Sequence, residues 1–458
     1  MELVLSSILE KLQHQPNSST LSTICFIIIS ILCILRFTRR NNKFNNLPPS
    51  PPKLPLIGNL HQLGTLPHQS LKALSHKYGP LLLLQLGQTQ ALVVSSSDLV
   101  EEIVKTHDVA FSNRANTKAS KVFFYQCKEI GFAPYGEEWR RKRKLCVLEL
   151  LSTNRVKSFQ PIRENEVLMM INSIHEACTK GSSVNLSKMI AATSMNISSR
   201  CIFGLRFETS DDGRKSIVEV VRKMMTQLSK LGVGDLFPSL DWVDVLTGFT
   251  SRLKDMFVAG SDTVSTTIEW VFAELANNPK TMKKIQEEVR RIVGGKSMIE
   301  ENDLNQMKYM KCVIKETLRL HPPGPLLIPR ETANSVEIKG YHIPKKVTVY
   351  INSYAIHRDP KLWDNAEEFI PERFEGNQQA DYKGIGFQLI PFGIGRRACP
   401  GVSFAVASLE YVMANLLYLF DWKVPNNNGA LIDMSELSGL TISKKHPLYL
   451  EPMPYLIC

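Results

Sequence analysis

Pro391-Phe392-Gly393-Ile394-Gly395-Arg396-Arg397-Ala398-Cys399-Pro400-Gly401 gathers glycines, two arginines and a Pro-Gly pair around one cysteine, just ahead of the apolar run Val402–Leu419. A thiolate at neutral pH needs positive charge, backbone donors or a metal beside it. The loop offers guanidinium groups, and N–H groups from a Gly-rich turn that feeds a helix N-terminus. Glycine also lets backbone approach a large flat ligand where a Cβ would collide. The stretch reads as a device for presenting one sulfur. A competing reading, G-x-G-x-x-A from Gly393 to Ala398, would be a dinucleotide-binding turn. It fails on context: Pro391 suits no central strand, Pro400-Gly401 interrupts the helix that should already be running, and fewer than sixty residues follow.

Read as F-x-x-G-x-R-x-C-x-G through Phe392, Gly395, Arg397, Cys399 and Gly401, the loop resembles the cytochrome P-450 superfamily of haem-thiolate monooxygenases. The resemblance implies haem b with Cys399 as the axial iron ligand, Arg397 paired with a haem propionate, and Phe392, Gly395 and Gly401 shaping the loop against the cofactor. Four more stretches agree with it. Glu316 and Arg319 stand at i, i+3 in a helical segment expected over about Leu304–Leu320, on one face. Arg373, in Phe369-Ile370-Pro371-Glu372-Arg373-Phe374, would complete a buried structural Glu-Arg-Arg triad. Ala259-Gly260-Ser261-Asp262-Thr263 resembles the distal helix over the haem, and implies Asp262 and Thr263 as the acid and hydroxyl that deliver protons during oxygen activation. Trp139-Arg140-Arg141-Lys142-Arg143-Lys144 resembles the helix whose Trp139 and Arg143, at i, i+4, hold a propionate, leaving the other basic residues outside to meet an acidic redox partner. Arg330, after Leu326-Leu327-Ile328-Pro329, resembles a further propionate contact.

The amino-terminal end sets the expected location. Leu21–Leu35 is an apolar run of fifteen residues followed by Arg36, Arg39, Arg40 and Lys43. A spanning helix wants about 20 apolar residues, which residues 16–37 supply with snorkelling ends. Charges after the run, rather than before it, mark an uncleaved anchor instead of a secretory signal. The proline-dense Leu47–Pro55 is a stiff spacer. The expected organisation is a lumenal or interfacial segment 1–20, a transmembrane anchor 21–37, a basic and proline-rich spacer 38–55, and a monooxygenase domain 56–458. The fold class expected from the resemblance is mainly α with a small β part, including Pro80–Val94 and Val336–Tyr354. The chain would sit in the endoplasmic reticulum membrane, its catalytic domain cytosolic, as plant-type members do.

Nine cysteines without C-x-x-C spacing suggest neither a disulfide framework nor a zinc site. The net charge of +11 is spread along the chain without basic tracts interleaved with aromatics, which argues for a membrane surface and a redox partner and against nucleic acid. The implied partners are dioxygen, membrane lipid, a hydrophobic small molecule and a reductase carrying electrons from NADPH. Substrate choice is expected from Tyr125–Ala133, Val233–Leu240, Pro325–Ile328 and Leu437–Thr441. One departure from the family stands out. Only fourteen residues separate Asp244 from Ala259, where the family has several dozen. A junction near Leu253-Lys254 reads as an excision of most of one roof helix, its successor and the first half of the distal helix. A single helix over Thr250–Asn277 would be about 42 Å long. The alternative to an active enzyme is a haem-binding or non-catalytic product lacking part of its roof.

Overall fold

Local signals punctuate the helices. In the computed structural model, which describes residues 22–28, 46–207, 217–247, 262–296, 298–376, 382, 386–425 and 431–455, α1 (Pro67–Tyr78) opens on proline, which costs nothing where the N–H has no helical partner. Then follow α2 (Ser97–Thr106), α3 (Lys118–Phe123), α4 (Glu137–Leu145) and α5 (Gln160–Thr179). α6 (Leu186–Phe203) is capped by Asn185, whose Oδ1 accepts from the Lys188 N–H at 2.9 Å, and ends at Gly204 in the left-handed region. α7 (Ile217–Leu228) and α8 (Asp262–Asn277) flank residues 248–261, which lie outside the described residues together with Leu253-Lys254, Ala259, Gly260 and Ser261. α9 (Pro279–Val293), α10 (Lys308–Leu320) and α11 (Val402–Leu419) follow, and shorter helical turns lie between these elements.

The main core lies among α5, α6, α8, α9, α10 and α11. Val167, Ile190, Phe272, Ile285, Met310 and Leu416 are all in it and essentially water-free. α11 is the one helix among the described residues apolar and long enough to cross a membrane, and two-thirds of it is buried in this core. Its apolar length therefore reflects core packing. Of the expected anchor, only Ser22–Ile28 is described; it is helical, with Phe26, Ile27 and Ile28 exposed.

A five-stranded sheet stands to one side. Its strands are β1 (Leu81–Leu86), β2 (Thr89–Val94), β3 (Asn113–Arg114), β4 (Arg330–Glu331) and β5 (Thr348–Ile351), in the order β1-β2-β5-β4-β3. β1 and β2 form an antiparallel hairpin, β2 runs parallel to β5, and β4 is antiparallel to both β5 and β3. The fold is thus mainly α with small sheets, as expected. One boundary differs: the helix expected from Leu304 begins at Lys308, because a 3-10 turn over Asp303–Asn305 comes first. The Asp303 carboxylate there takes the Glu300 N–H and Lys296, favouring a turn over helix.

Candidate active site

The cysteine loop is held by backbone. Gly393 and Gly395 both have φ +70°, and a Cβ on Gly395 would lie 2.6 Å from Asp108 Oδ1. The Cys399 N–H donates to the Phe392 carbonyl at 2.8 Å, and the Gly401 N–H, at the start of α11, donates to Cys399 Sγ at 3.4 Å. Phe392 is half-buried, edge-on to Tyr382.

The two loop arginines do not serve the sulfur as the sequence suggests. Arg396 pairs with Asp108 at 3.3 Å. Arg397 turns inward, donating to the carbonyls of Ser112 and Ala133, each at 2.6 Å, and stacking 4.3 Å over the Trp139 ring. Of the cations, only Arg143 lowers the Cys399 thiol, and burial pushes that thiol up despite Arg143 and the Gly401 N–H. Cys399 is nevertheless open on one side. Burial thus works against a thiolate here, and a bound metal ion would favour one.

Beside the loop the positive charge is in excess. Arg114 and Arg330 are directly opposite each other across the β3–β4 pair, a placement that like charges oppose. Burial pulls Arg330 down to about 10, and burial with Arg330 pulls Arg397 to about 10. Arg114 is lowered by burial, then by Arg330, Arg397 and Arg143. The nearby carboxylates are Asp108 and Glu129. Arg330 Nη1 is buried without a hydrogen-bond partner, 3.8 Å from Asp108 Oδ1. Four crowded guanidinium groups with an unspent donor fit a ligand carrying two carboxylates, which haem does. Trp139 is buried, its indole N–H donating to the Ile130 carbonyl at 2.9 Å, so its link to this cluster is the Arg397 stack. Arg114 carries no motif in the sequence and was not singled out by it.

The triad is assembled. Glu316 and Arg319 are fully buried and joined by two bonds of 2.7 and 2.8 Å; Arg373 Nε reaches Glu316 at 3.0 Å. Arg319 also donates to the carbonyls of His357, Ala366 and Glu368. His357, also absent from the sequence reading, connects this network to the cysteine loop: its Nε2 accepts the Ile390 N–H at 2.9 Å. Burial, with Arg319 and Arg358 beside it, holds its pKa down at about 3, so the ring stays neutral and able to accept.

Asp262 and Thr263 diverge. Asp262 is buried at the start of α8, bonded to the Thr441 side chain, and burial raises its pKa. Thr263 is exposed, and its carbonyl accepts from Thr267 at 2.9 Å. A cavity of about 1730 Å³ brings together parts of all four stretches expected to choose substrate, through Phe132, Leu236, Pro238, Leu326 and Leu440. Its wall is less apolar than those stretches suggest, since Lys118, Lys121, Asp235 and Glu331 also line it.

Comparison with known proteins decides the family. The cytochrome P-450 family model matches residues 48–248 and 247–450. The chain belongs to the cytochrome P-450 family. A phenylacetaldehyde oxime monooxygenase of Prunus mume is 44% identical over 466 positions, covering 88% of each chain. A strychnine-11-hydroxylase of Strychnos nux-vomica is 40% identical, covering 88% of this chain and 90% of its own. A zebrafish cytochrome P-450 solved with progesterone shares the fold at TM-score 0.70 and 23% identity, covering 85% of this chain and 99% of that one. This P-450 is therefore a plant monooxygenase of the haem-thiolate kind, with dioxygen, a hydrophobic substrate and a redox partner implied. The family model breaks at Thr247-Gly248, a few residues before the junction expected at Leu253-Lys254. In the Prunus alignment, 88% of 458 residues is about 403, so about 63 of the 466 positions have no counterpart in this P-450.

Proposed function

We propose that this chain is an NADPH-reductase-dependent monooxygenase that oxidises a hydrophobic specialised metabolite at a haem held by Cys399. The observation that carries the reading is the surplus of buried arginine beside the Cys399 loop. Arg330 and Arg143 would take the two propionates, with Arg114 and Arg397 supplying charge from behind and Trp139 holding Arg397 in place. Phe392, Gly395 and Gly401 would shape the sulfur's seat. When bound, the haem iron supplies reductive activation of dioxygen, with thiolate donation favouring O–O cleavage.

Protein groups do the rest. Asp262, its pKa raised by burial, holds a proton longer than a surface aspartate does and passes it towards the reacting centre, with Thr263 as the neighbouring hydroxyl. The cavity wall, apolar at Phe132, Leu236, Leu326 and Leu440, would orient substrate. Glu316, Arg319 and Arg373 hold the loop through His357 and have no part in proton transfer. An anchor at 21–37 and spacer at 38–55 would keep the domain 56–458 on the cytosolic face of the endoplasmic reticulum. Exposed Arg140, Arg141 and Lys144 would meet the acidic reductase.

The test is turnover by membranes carrying the full chain and a plant reductase, supplied with NADPH, labelled dioxygen and a panel of hydrophobic aldoximes, alkaloids and lignans. NADPH-dependent oxidation of a panel compound, with label incorporated where the product gains oxygen, is expected. Absence of oxidised products despite full haem loading would contradict the reading. A second reading, a haem-binding product without turnover, is favoured by one specific feature: the large apolar side chains of Leu145, Leu148, Leu150, Ile202, Phe203 and Leu205 are exposed.

A further inference from the structure

The strip of chain from Gly232 to Leu246 contributes to the wall of the 1730 Å³ cavity and carries three aspartates that share one lysine. Lys118, the first residue of α3, places Nζ 2.8 Å from Asp241 Oδ1 and 2.9 Å from Asp244 Oδ2. The same ammonium donates to the Asp241 carbonyl at 2.8 Å, and the Lys118 backbone N–H donates to Asp235 Oδ1 at 2.9 Å. Asp244 is buried and also accepts the N–H groups of Val233 and Gly234, at 2.8 and 2.9 Å. Asp235 accepts the Gly232 N–H at 2.8 Å through its other oxygen.

A second attachment comes from the β1–β2 turn. The Gln88 N–H donates to the Leu236 carbonyl at 2.7 Å, and its side-chain amide donates to Ser239 Oγ at 2.8 Å. A Cβ on Gly87 would lie 2.7 Å from the Leu236 carbonyl oxygen, so turn and strip touch backbone to backbone. Apolar packing adds little at the strip's far end, where Trp242, Val245 and Leu246 are 58%, 65% and 75% exposed. The strip is held by polar ties, and Lys118 joins the largest number of them.

We infer that Lys118 is a specificity-determining residue: by clamping residues 232–246 over the cavity, it sets how bulky a hydrophobic molecule is admitted and how long it is held. This rests on the reading of the cavity as the substrate chamber. Two carboxylates, Asp241 and Asp244, share the ammonium, and Asp235 is held by the backbone N–H of the same residue, so removing the charge leaves mutual repulsion of the first two as well as lost contacts. Burial and ion pairing are opposed at Asp244. Burial raises its pKa, while Lys118 and the two N–H donors lower it further, so the carboxylate stays ionised and the clamp closed at neutral pH. Gly234 belongs to the same clamp: a Cβ there would meet Asp241 Oδ1 at 2.3 Å and Lys118 Cε at 3.0 Å.

The experiment uses the full haem-loaded chain and its Lys118→Met variant, which keeps the aliphatic stem, with Lys118→Arg as the charge-retaining control. Hydrogen exchange is read over 232–246 and α10, and dissociation rates are read spectrally for imidazole and for bulky clotrimazole. In the Met variant, exchange over 232–246 and clotrimazole dissociation should each rise about tenfold, equivalent to about 1.4 kcal/mol. Imidazole release and α10 exchange should stay unchanged, and the Arg variant should resemble the parent. Gly234→Ala should act in the same direction as the Met variant. Unchanged exchange over the strip, or equal acceleration of both azoles, would overturn the assignment. If neither azole perturbs the parent's spectrum, the haem-thiolate reading fails and the specificity role with it; the exchange data still show whether the clamp exists.

Discussion

Glu316 receives two arginines and the Ile370 N–H, with no surface exposed. Replacing it with glutamine leaves Arg319 and Arg373 without a counter-charge in the interior, a loss of about 3–5 kcal/mol. Glu316→Gln is expected to express with little haem and a lowered denaturant midpoint, measured by haem content and urea unfolding. Cys399→Ser separates ligation from folding: the residue is exposed, so α-helical signal should stay unchanged and the urea unfolding free energy should change by less than about 1 kcal/mol while the thiolate signature disappears. Motif residues such as Glu316, Arg319 and Cys399 were legible because their spacing along the chain carries the chemistry. Arg114 and His357 were not. Arg114 works through the Ile328 carbonyl, 214 residues away, and through its register partner Arg330. His357 matters through Ile390. Nothing local to either distinguishes a buried polar hub from a surface residue.

At the scale of elements, α11 shows how far periodicity reaches. Its apolar run made a helix evident from the sequence, but not the environment of Glu410 inside it. Burial, only partly offset by Lys311, raises that carboxyl to about 7. An unfolded glutamate titrates near about 4.3, so the folded chain pays an ionisation penalty that begins above that pH and is complete once pH exceeds about 7. The penalty grows to about 4 kcal/mol, and stability falls as pH rises through this window. Glu410→Gln should therefore raise the thermal midpoint more at about pH 8 than at about pH 5, by differential scanning calorimetry; an equal gain at both would refute the burial argument. The β1–β2 hairpin and the strand Thr348–Ile351 were readable as sheet. The two-residue pairing of Asn113–Arg114 with Arg330–Glu331, which assembles the arginine cluster, was too short to leave a pattern.

For the whole molecule, the closeness of Asp244 to Ala259 is the feature from which a shortened roof is expected, and the family model matches the chain in two pieces that meet nearby. On and beside α4 and α6 an apolar set is exposed: Leu145, Val147, Leu148, Leu150, Ile202, Phe203 and Leu205. Such a surface should bind an apolar fluorescent dye in the native state. Grafting the corresponding segment of the Prunus mume relative at Thr247-Gly248 should reduce dye binding and raise the thermal midpoint; no change in either would mean the apolar set is covered by other means. The central claim is that Cys399 and the arginine cluster hold haem as a thiolate complex despite the missing length. The direct test is a carbon monoxide difference spectrum of the reduced, membrane-expressed full chain. Thiolate ligation by Cys399 gives the red-shifted Soret band expected here. A band at the shorter wavelength of a neutral ligand, or no band, would contradict it.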